Sequence, residues 1–585
     1  MPLMEDNRMK TLLTGDGAKP LESGALLISK VKIQIFDDQT PPKTQMVIEA
    51  PECVFDSRAK NASSTGSIAL ESTDGRFSIQ GVGFNWNQSI SSLTISNQVQ
   101  TFISRKALQS DTAEGAPIQV KADRFVYHKE TNLGVYSGHV QAQEGDRFKM
   151  DCQRLEAELP EEEDAPQKII ASGDVKIEIE AGGRRTHLNG SEAQYESTGE
   201  TGNLRLTGNP TWRSDLYSGH GEQIEIRDLN LNPTFSVSGA AAMTLQVSKS
   251  TTEGNAVQTI TLQSSVYELT ESGAEFAGDV VASSDAGWNL SSQHLSAAIE
   301  EESQSVTKIV ARKEVKIQQS IDGKKITASG DLAEFTPDGD ALSDALISGN
   351  AVVENAEFRS QADQIQLQRQ GNDEVVRAEG HVSFRIPRAS TGQGGFLGLS
   401  VRAEADLDVE AGSDGELVIT ANQYRLADGV GLFEGNVVVK DSDGSLSCRT
   451  LRIVFGDTTR TIRSMTASGN VTVVNPEGEL SCHELEGQFS GRGNRLVRLV
   501  ATDAVELRRV NGVATGTRAV FDVVRQEVKL TGEPELRTRI VNGVLTQNVL
   551  TTAEELIWDQ VSNTFKARGR YRSKTLPNAP VNYER

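Results

Sequence analysis

The chain has 585 residues, a formal net charge of −22, 37% hydrophobic residues and only 5% aromatics. So acidic a surface disfavours a nucleic-acid partner, because phosphate binding needs net basic surface. No stretch reaches the roughly 18 consecutive apolar residues of a transmembrane helix, and the four cysteines are too few for a disulfide scaffold.

Residues 1–23 are polar, lack the apolar core of a signal peptide, and read as a disordered leader; taken literally, the chain is cytosolic. Residues 24–106 read as strands. Val31, Ile33 and Ile35 alternate with polar residues, as do the runs 45–49, 67–70 and 77–79, with turn signals at 40–42 and 73–75. Ser110 to Ala116 is a small polar linker. From residue 117 a repeat takes over. Its mark is a glycine, a small polar residue and then alternating aliphatics. It recurs as Gly138-His139-Val140, Gly173-Asp174-Val175, Gly208-Asn209-Pro210, Gly278-Asp279-Val280, Gly349-Asn350-Ala351, Gly380-His381-Val382, Gly435-Asn436-Val437, Gly469-Asn470-Val471 and Gly532-Glu533-Pro534. The longer steps hold degenerate copies at Gly239, Lys313-Glu314, Asp503-Ala504 and Gly569. A fixed period of about 35 residues predicts a stacked repeat architecture. Each repeat carries two turns, as at 441–444 and 456–459, and so has two long legs. The glycine lies mid-leg, where a residue without Cβ lets a strand bend. The expected fold is all-β: an elongated, V-shaped two-sheet β-jellyroll, a solenoid-like stack with two long bent antiparallel strands per repeat.

Alternation divides each leg into a dry and a wet face. Val140, Val175, Ile177, Ile179, Val280, Val315, Ile317, Val382, Phe384, Val437, Val439, Val471, Val473, Val505 and Leu507 fall on the dry face and are the candidates to line an apolar groove. Lys176, Glu178, Lys316 and Glu506 fall on the wet one. A second ladder of large residues includes Tyr127, Tyr195, Tyr267, Phe335, Tyr424, Phe455, Phe489, Phe521 and Trp558, late in the second leg. Seven positions before members of this ladder come small or apolar residues, among them Cys152, Cys448 and Cys482. Two strands per repeat put Cys448 and Cys482 about two strand spacings apart, ~9.6 Å. That exceeds disulfide reach, so free buried thiols are expected.

His139, His220 and His381 follow a bend glycine, where Asn, Asp and His are tolerated for backbone reasons; no metal and no cofactor are expected. Zinc-protease, paired-cysteine, phosphate-loop and nucleophile-elbow motifs are absent from the sequence, and no catalytic residue is assigned. The acidic run 161–164 reads as solvated surface. Arg184-Arg185, Lys324-Lys325 and Arg508-Arg509 read as turn charge, or as contacts to lipid phosphates. The longest interval, Gly380 to Gly435, contains a Gly-rich insertion at 388–398 with Phe396 and Leu397, an elongated hairpin or a docking loop. The basic stretch 566–574 reads as protection of a final edge, or as a contact to an acidic partner.

The repeat resembles the OstA/LptA-type domain of lipopolysaccharide transport. The stretches that carry the likeness are Ala122 to Val140, Gly190 to Tyr195 with Leu204 to Asn209, and Ala519 to Phe521 with Val528 to Gly532. It covers 117–575. Residues 24–106 are similar to the LptC-type periplasmic domain, on 51–55, 67–70, 74–77 and 96–99. The resemblance implies two OstA/LptA-like blocks, 117–380 and 381–585. It also implies a periplasmic, non-enzymatic role in which an apolar interior carries the acyl chains of lipid A, and ends that join other lipopolysaccharide transport components by edge-strand addition. Two other readings stay open. One is a closed β-solenoid scaffold, structural or adhesive, with a filled core and no lipid. The other is a carbohydrate-active β-helix, which needs a cleft with clustered carboxylates.

Overall fold

The glycine and the residue after it turn the strand. In the computed structural model, φ is +77° at Gly138 and +46° at His139, and +76° at Gly380 and +45° at His381, and every regular copy repeats this left-handed pair. The pair adds one residue to the strand: Ser137 faces Arg154, but Val140 already faces Cys152. Such a bulge bends the strand and sharpens its twist. Asn, Asp and His accept the second left-handed position better than other side chains. Two degenerate copies make the same corner with no glycine, at Lys313-Glu314 (+62°, +53°) and Asp503-Ala504 (+61°, +50°).

The structure describes residues 2–576 except 6–7, 38–40, 76, 105–116, 159–167, 182–183, 198–201, 216, 230–232, 252–253, 271, 286, 300–305, 322–323, 337–343, 371–372, 388–415, 442–443, 457–460, 477, 491–495, 511, 543–544 and 563. The insertion 388–398, the linker 110–116 and the acidic run 161–164 lie outside the described residues. Two compact units form, one of Met1–Ala282 with Ser296–Ser305, the other of Ser283–Leu295 with Val306–Arg585.

Within the first unit, antiparallel strands follow one another in chain order. Leu133–Glu144 pairs with Phe148–Glu158, which pairs with Lys168–Ala181, which pairs with Arg184–Ser197. Each corner sends the two halves of a strand into two layers. Lys168 to Ser172, before its corner, pairs with Glu192 to Glu196; Val175 to Ala181, after it, pairs with Arg184 to Gly190. The halves before the corners make the first layer and the halves after them the second. Trp212 in the second layer meets Phe235 in the first, ring centroids 4.9 Å apart, so the layers face each other across a shared interior. Where proline follows a corner, its missing N–H interrupts the ladder and the halves become separate strands, Gly202–Thr207 and Thr211–Arg213, and likewise Glu527–Thr531 and Glu535–Asn542. The second unit repeats the scheme, for example through Asp373–Pro387, Glu416–Ala427, Val430–Lys440 and Ser445–Phe455. The all-β repeat architecture expected from the sequence is the architecture observed.

The N-terminus differs from expectation. Residues 1–23, expected to be a disordered leader, carry the strands Pro2–Glu5, Arg8–Thr14 and Gly17–Pro20. Thr11 pairs with Ile35, and Thr11 and Leu13 are buried. Alternation over a few residues outweighs the polar composition there. Ser92–Ile103 pairs with both Ile118–Ala122 and Arg124–His128, so the ladder of the first block runs on into the repeat. The expected block boundary at 380/381 falls on a corner inside Asp373–Pro387. Among the described residues no helix is long and apolar enough to cross a membrane.

Candidate functional site

Alternation restarts after each corner, so the first residue past the left-handed pair points into the interior. Val140, Val175, Ile177, Val280, Val315, Ile317, Val382, Phe384, Val437, Val439, Val471, Val473 and Val505 are all exposed by 2% or less, and Leu507 by 7%. Ile179, near the turn end of its strand, is half-buried. Of the residues expected on the wet face, Lys176 and Lys316 are exposed and Glu178 and Glu506 half-buried; the corner residues Asn436 and Asn470 are exposed. The inward residues face one another in register: Val437 opposite Cys448, Val471 opposite Cys482, Phe384 opposite Ile419.

Side chains from both layers meet in this interior. Phe384, in the second layer, lies 5.2 Å from Tyr424 and 5.4 Å from Phe433 in the first, measured between ring centroids, and Phe358 stacks on it at 5.0 Å. Polar groups also reach across. Tyr136 Oη donates to Thr101 Oγ1 at 3.0 Å. Trp212 Nε1 donates to Tyr267 Oη at 2.6 Å, and that hydroxyl donates to the Ala242 carbonyl at 3.3 Å. The buried Tyr424 hydroxyl faces the buried Ser360 hydroxyl, without a bond of full geometry. The Arg509 guanidinium lies 3.5 Å over the Trp558 ring. Burial raises the pKa of all three tyrosines, that of Tyr136 to about 12, partly offset in each case by the polar partner.

Sequence reasoning placed Tyr267 and Tyr424 in the large-residue ladder, missed Tyr136, and did not find the partners of any of the three. It also misread His220 as a corner residue. His220 lies in the strand Tyr217–His220, pairs with Thr211 and Ala242, and has no left-handed backbone. The glycine before it has another task. A Cβ on Gly219 would strike Tyr267 Oη, Trp212 Nε1 at 2.5 Å and the Ala242 carbonyl at 2.6 Å.

The outer surface at the corners is polar. His139 Nδ1 lies 2.8 Å from Asp123 Oδ2, His381 Nδ1 lies 2.9 Å from Asp363 Oδ2, and Asn350 Nδ2 donates to Asp331 Oδ2 at 3.1 Å. These aspartates were missed. Their signal was an acid 16 to 19 residues ahead of each corner. Of the basic pairs, Arg185 binds Glu178 and Glu180 at 3.2 and 3.3 Å, Arg508 pairs with Glu506, and Arg509 turns inward onto Trp558. An open depression of about 700 Å³ lies over the bend of the first strands, lined by outward groups such as Lys30, Lys32, Glu49 and Gln98. The four cysteines are free and buried. Cys448 and Cys482 are kept apart by the strand Ile462–Asn475 between theirs.

Residues 119–229 match the family model described as LptA/(LptD N-terminal domain) LPS transport protein. No curated protein matches the chain. Among solved structures, LptH, the LptA homologous periplasmic component of the conserved lipopolysaccharide transport device from Pseudomonas aeruginosa, is 14% identical, with 28% of this chain and 95% of that chain covered. Its TM-score is 0.14, too low to carry weight. The matched stretch contains the corners at Gly138, Gly173 and Gly208 and the inward residues Val140, Val175 and Ile177. The likeness to the LptA/LptD N-terminal family of lipopolysaccharide transport proteins thus rests on residues 119–229 of this chain.

Proposed function

We propose that the protein is a non-enzymatic periplasmic bridge that takes the acyl chains of lipopolysaccharide between its two layers and passes them from the inner toward the outer membrane. What supports this reading most is the inward aliphatic ladder, which recurs strand after strand within each unit and on both layers. An acyl chain inside it leaves water, at about 0.8 kcal/mol for each CH₂ buried. In the same reading the block 24–106 acts as an LptC-type domain, the blocks 117–380 and 381–585 as successive LptA-type modules, and edge strands at the ends add to other transport components. The fifteen predicted inward residues are the groove lining, and the layers part as a chain enters.

One observation favours a second reading, a closed scaffold without lipid: the direct meeting of Phe384 with Tyr424 and Phe433 across the interior. Photo-crosslinking in Gram-negative cells separates the two. A crosslinking residue replaces inward Val437 or Val471, with exposed Asn436 and Asn470 as controls. Lipopolysaccharide adducts at the inward positions alone are expected. Crosslinks within the chain only, at every position, would put the scaffold in its place.

A further inference from the structure

The polar contacts across the interior share one arrangement. Tyr136 and Tyr267 each stand in the first layer, and each points its hydroxyl at residues of the second, Thr101 for one and Trp212 with Ala242 for the other. The site at Tyr267 is the most fully built. Tyr267 Oη receives one hydrogen bond and donates another, both to the opposite layer, and Gly219 supplies the space in which the two meet. Tyr267 and Trp212 are buried, and Phe235 and Phe276 pack against them. In so apolar a setting a hydrogen bond has no water to replace it once broken. Aliphatic pairs can slide apart onto a lipid chain and lose little, since one apolar contact replaces another. A tyrosine tie cannot be exchanged in that way.

We propose that Tyr267, with Tyr136 as its counterpart, determines access to the interior: its hydroxyl latches the two layers together in the lipid-free protein, and an entering acyl chain must part it. This rests on the transport reading above for the identity of what enters, but the latch itself is a property of the empty protein and can be tested without lipid. Spin labels at Arg205→Cys in the first layer and Arg213→Cys in the second, both exposed, report the separation of the layers in the full chain, whose native thiols are buried. Tyr267→Phe removes both bonds and keeps the ring. Trp212→Phe removes one bond, leaves the Ala242 contact, and takes away more packing volume. A latch predicts that the layer separation widens in the order wild type, Trp212→Phe, Tyr267→Phe. A merely structural core predicts the reverse, because the tryptophan variant leaves the larger cavity. Lipid A in detergent is then titrated against all three proteins, and Tyr267→Phe should bind it more tightly by roughly five- to a hundred-fold, the factor of two ordinary buried hydrogen bonds. Unchanged separations in both variants, or the reverse order, overturn the latch. Widening in the stated order with no lipid A bound by any of the three keeps the latch and overturns the transport reading. If Tyr267→Phe does not fold, a widened separation in Trp212→Phe supports the latch and an unchanged one overturns it.

Discussion

At Gly380 a side chain has nowhere to go. The backbone is left-handed, and a Cβ there would strike the carboxylate of Asp363, with its Cγ at 2.7 Å. Asp363 in turn is held by His381, the next residue along. Gly429 offers a control, since φ there is +68° but nothing lies within 4 Å of a built Cβ. Gly429→Ala should therefore lose only the left-handed backbone cost, about 1 kcal/mol. Gly380→Ala should lose about 2–3 kcal/mol, because the aspartate must move as well. Amide exchange in Asp373–Pro387 and Val430–Lys440 measures both losses locally. Equal losses would mean that Asp363 swings away freely and that the corner is held by backbone conformation alone.

The bent strand is the unit that converts this local chemistry into an interior. Because side chains alternate with a period of two, one residue more or less at a corner turns the whole following half over. Deleting Asn470 should send Val471 and Val473 outward and uncover Cys482, which faces Val471. Cys482 should then react rapidly with a thiol reagent while Cys152, in the other unit, stays protected. Continued protection of Cys482 would show that the ladder can slip to restore its register. Corners were legible in the sequence because glycine followed by Asn, Asp or His has a backbone reason. Even Lys313-Glu314 was found, through the aliphatics after it. The inward ladder was legible for the same reason, since alternation is a local property. The ties were not. Trp212 and Tyr267 are 55 residues apart, and which residue of one layer meets which of the other depends on how the bent strands cross, which no local pattern records. Gly219 was opaque too, because its reason is a close approach by other strands rather than its own φ. The strands within residues 1–23 were hidden by a composition that described the segment as a whole while a few alternating positions decided its fate.

For the molecule as a whole, the thin aliphatic core sets the response to alkali. Burial pushes Cys53 and Cys152 up to about 11 and Cys448 and Cys482 to about 12, from an ordinary 9.0. Tyr136 rises to about 12 from 10.0. Well below pH 9.0 these thiols are protonated whether the chain is folded or not, and contribute no pH dependence. Above it the unfolded chain gives up protons that the folded chain retains, so stability falls as pH rises. Denaturation midpoints should drop between pH 9.0 and pH 11, and replacing all four cysteines by alanine should flatten part of that drop. A drop of the same size in the cysteine-free chain would place the effect on the tyrosines and on general charge repulsion. The strand order of each unit also has a mechanical consequence. Each full-length bent strand is bonded to its neighbours in sequence, so tension applied to the chain at one end of a unit loads each ladder from its terminal hydrogen bond. The bonds then open singly, like a seam, rather than together in shear. A seam of this kind extends at low force in hairpin-sized steps. The places where a tyrosine spans the two layers are where it would catch, because there a single strand cannot leave without pulling on both sides of the interior.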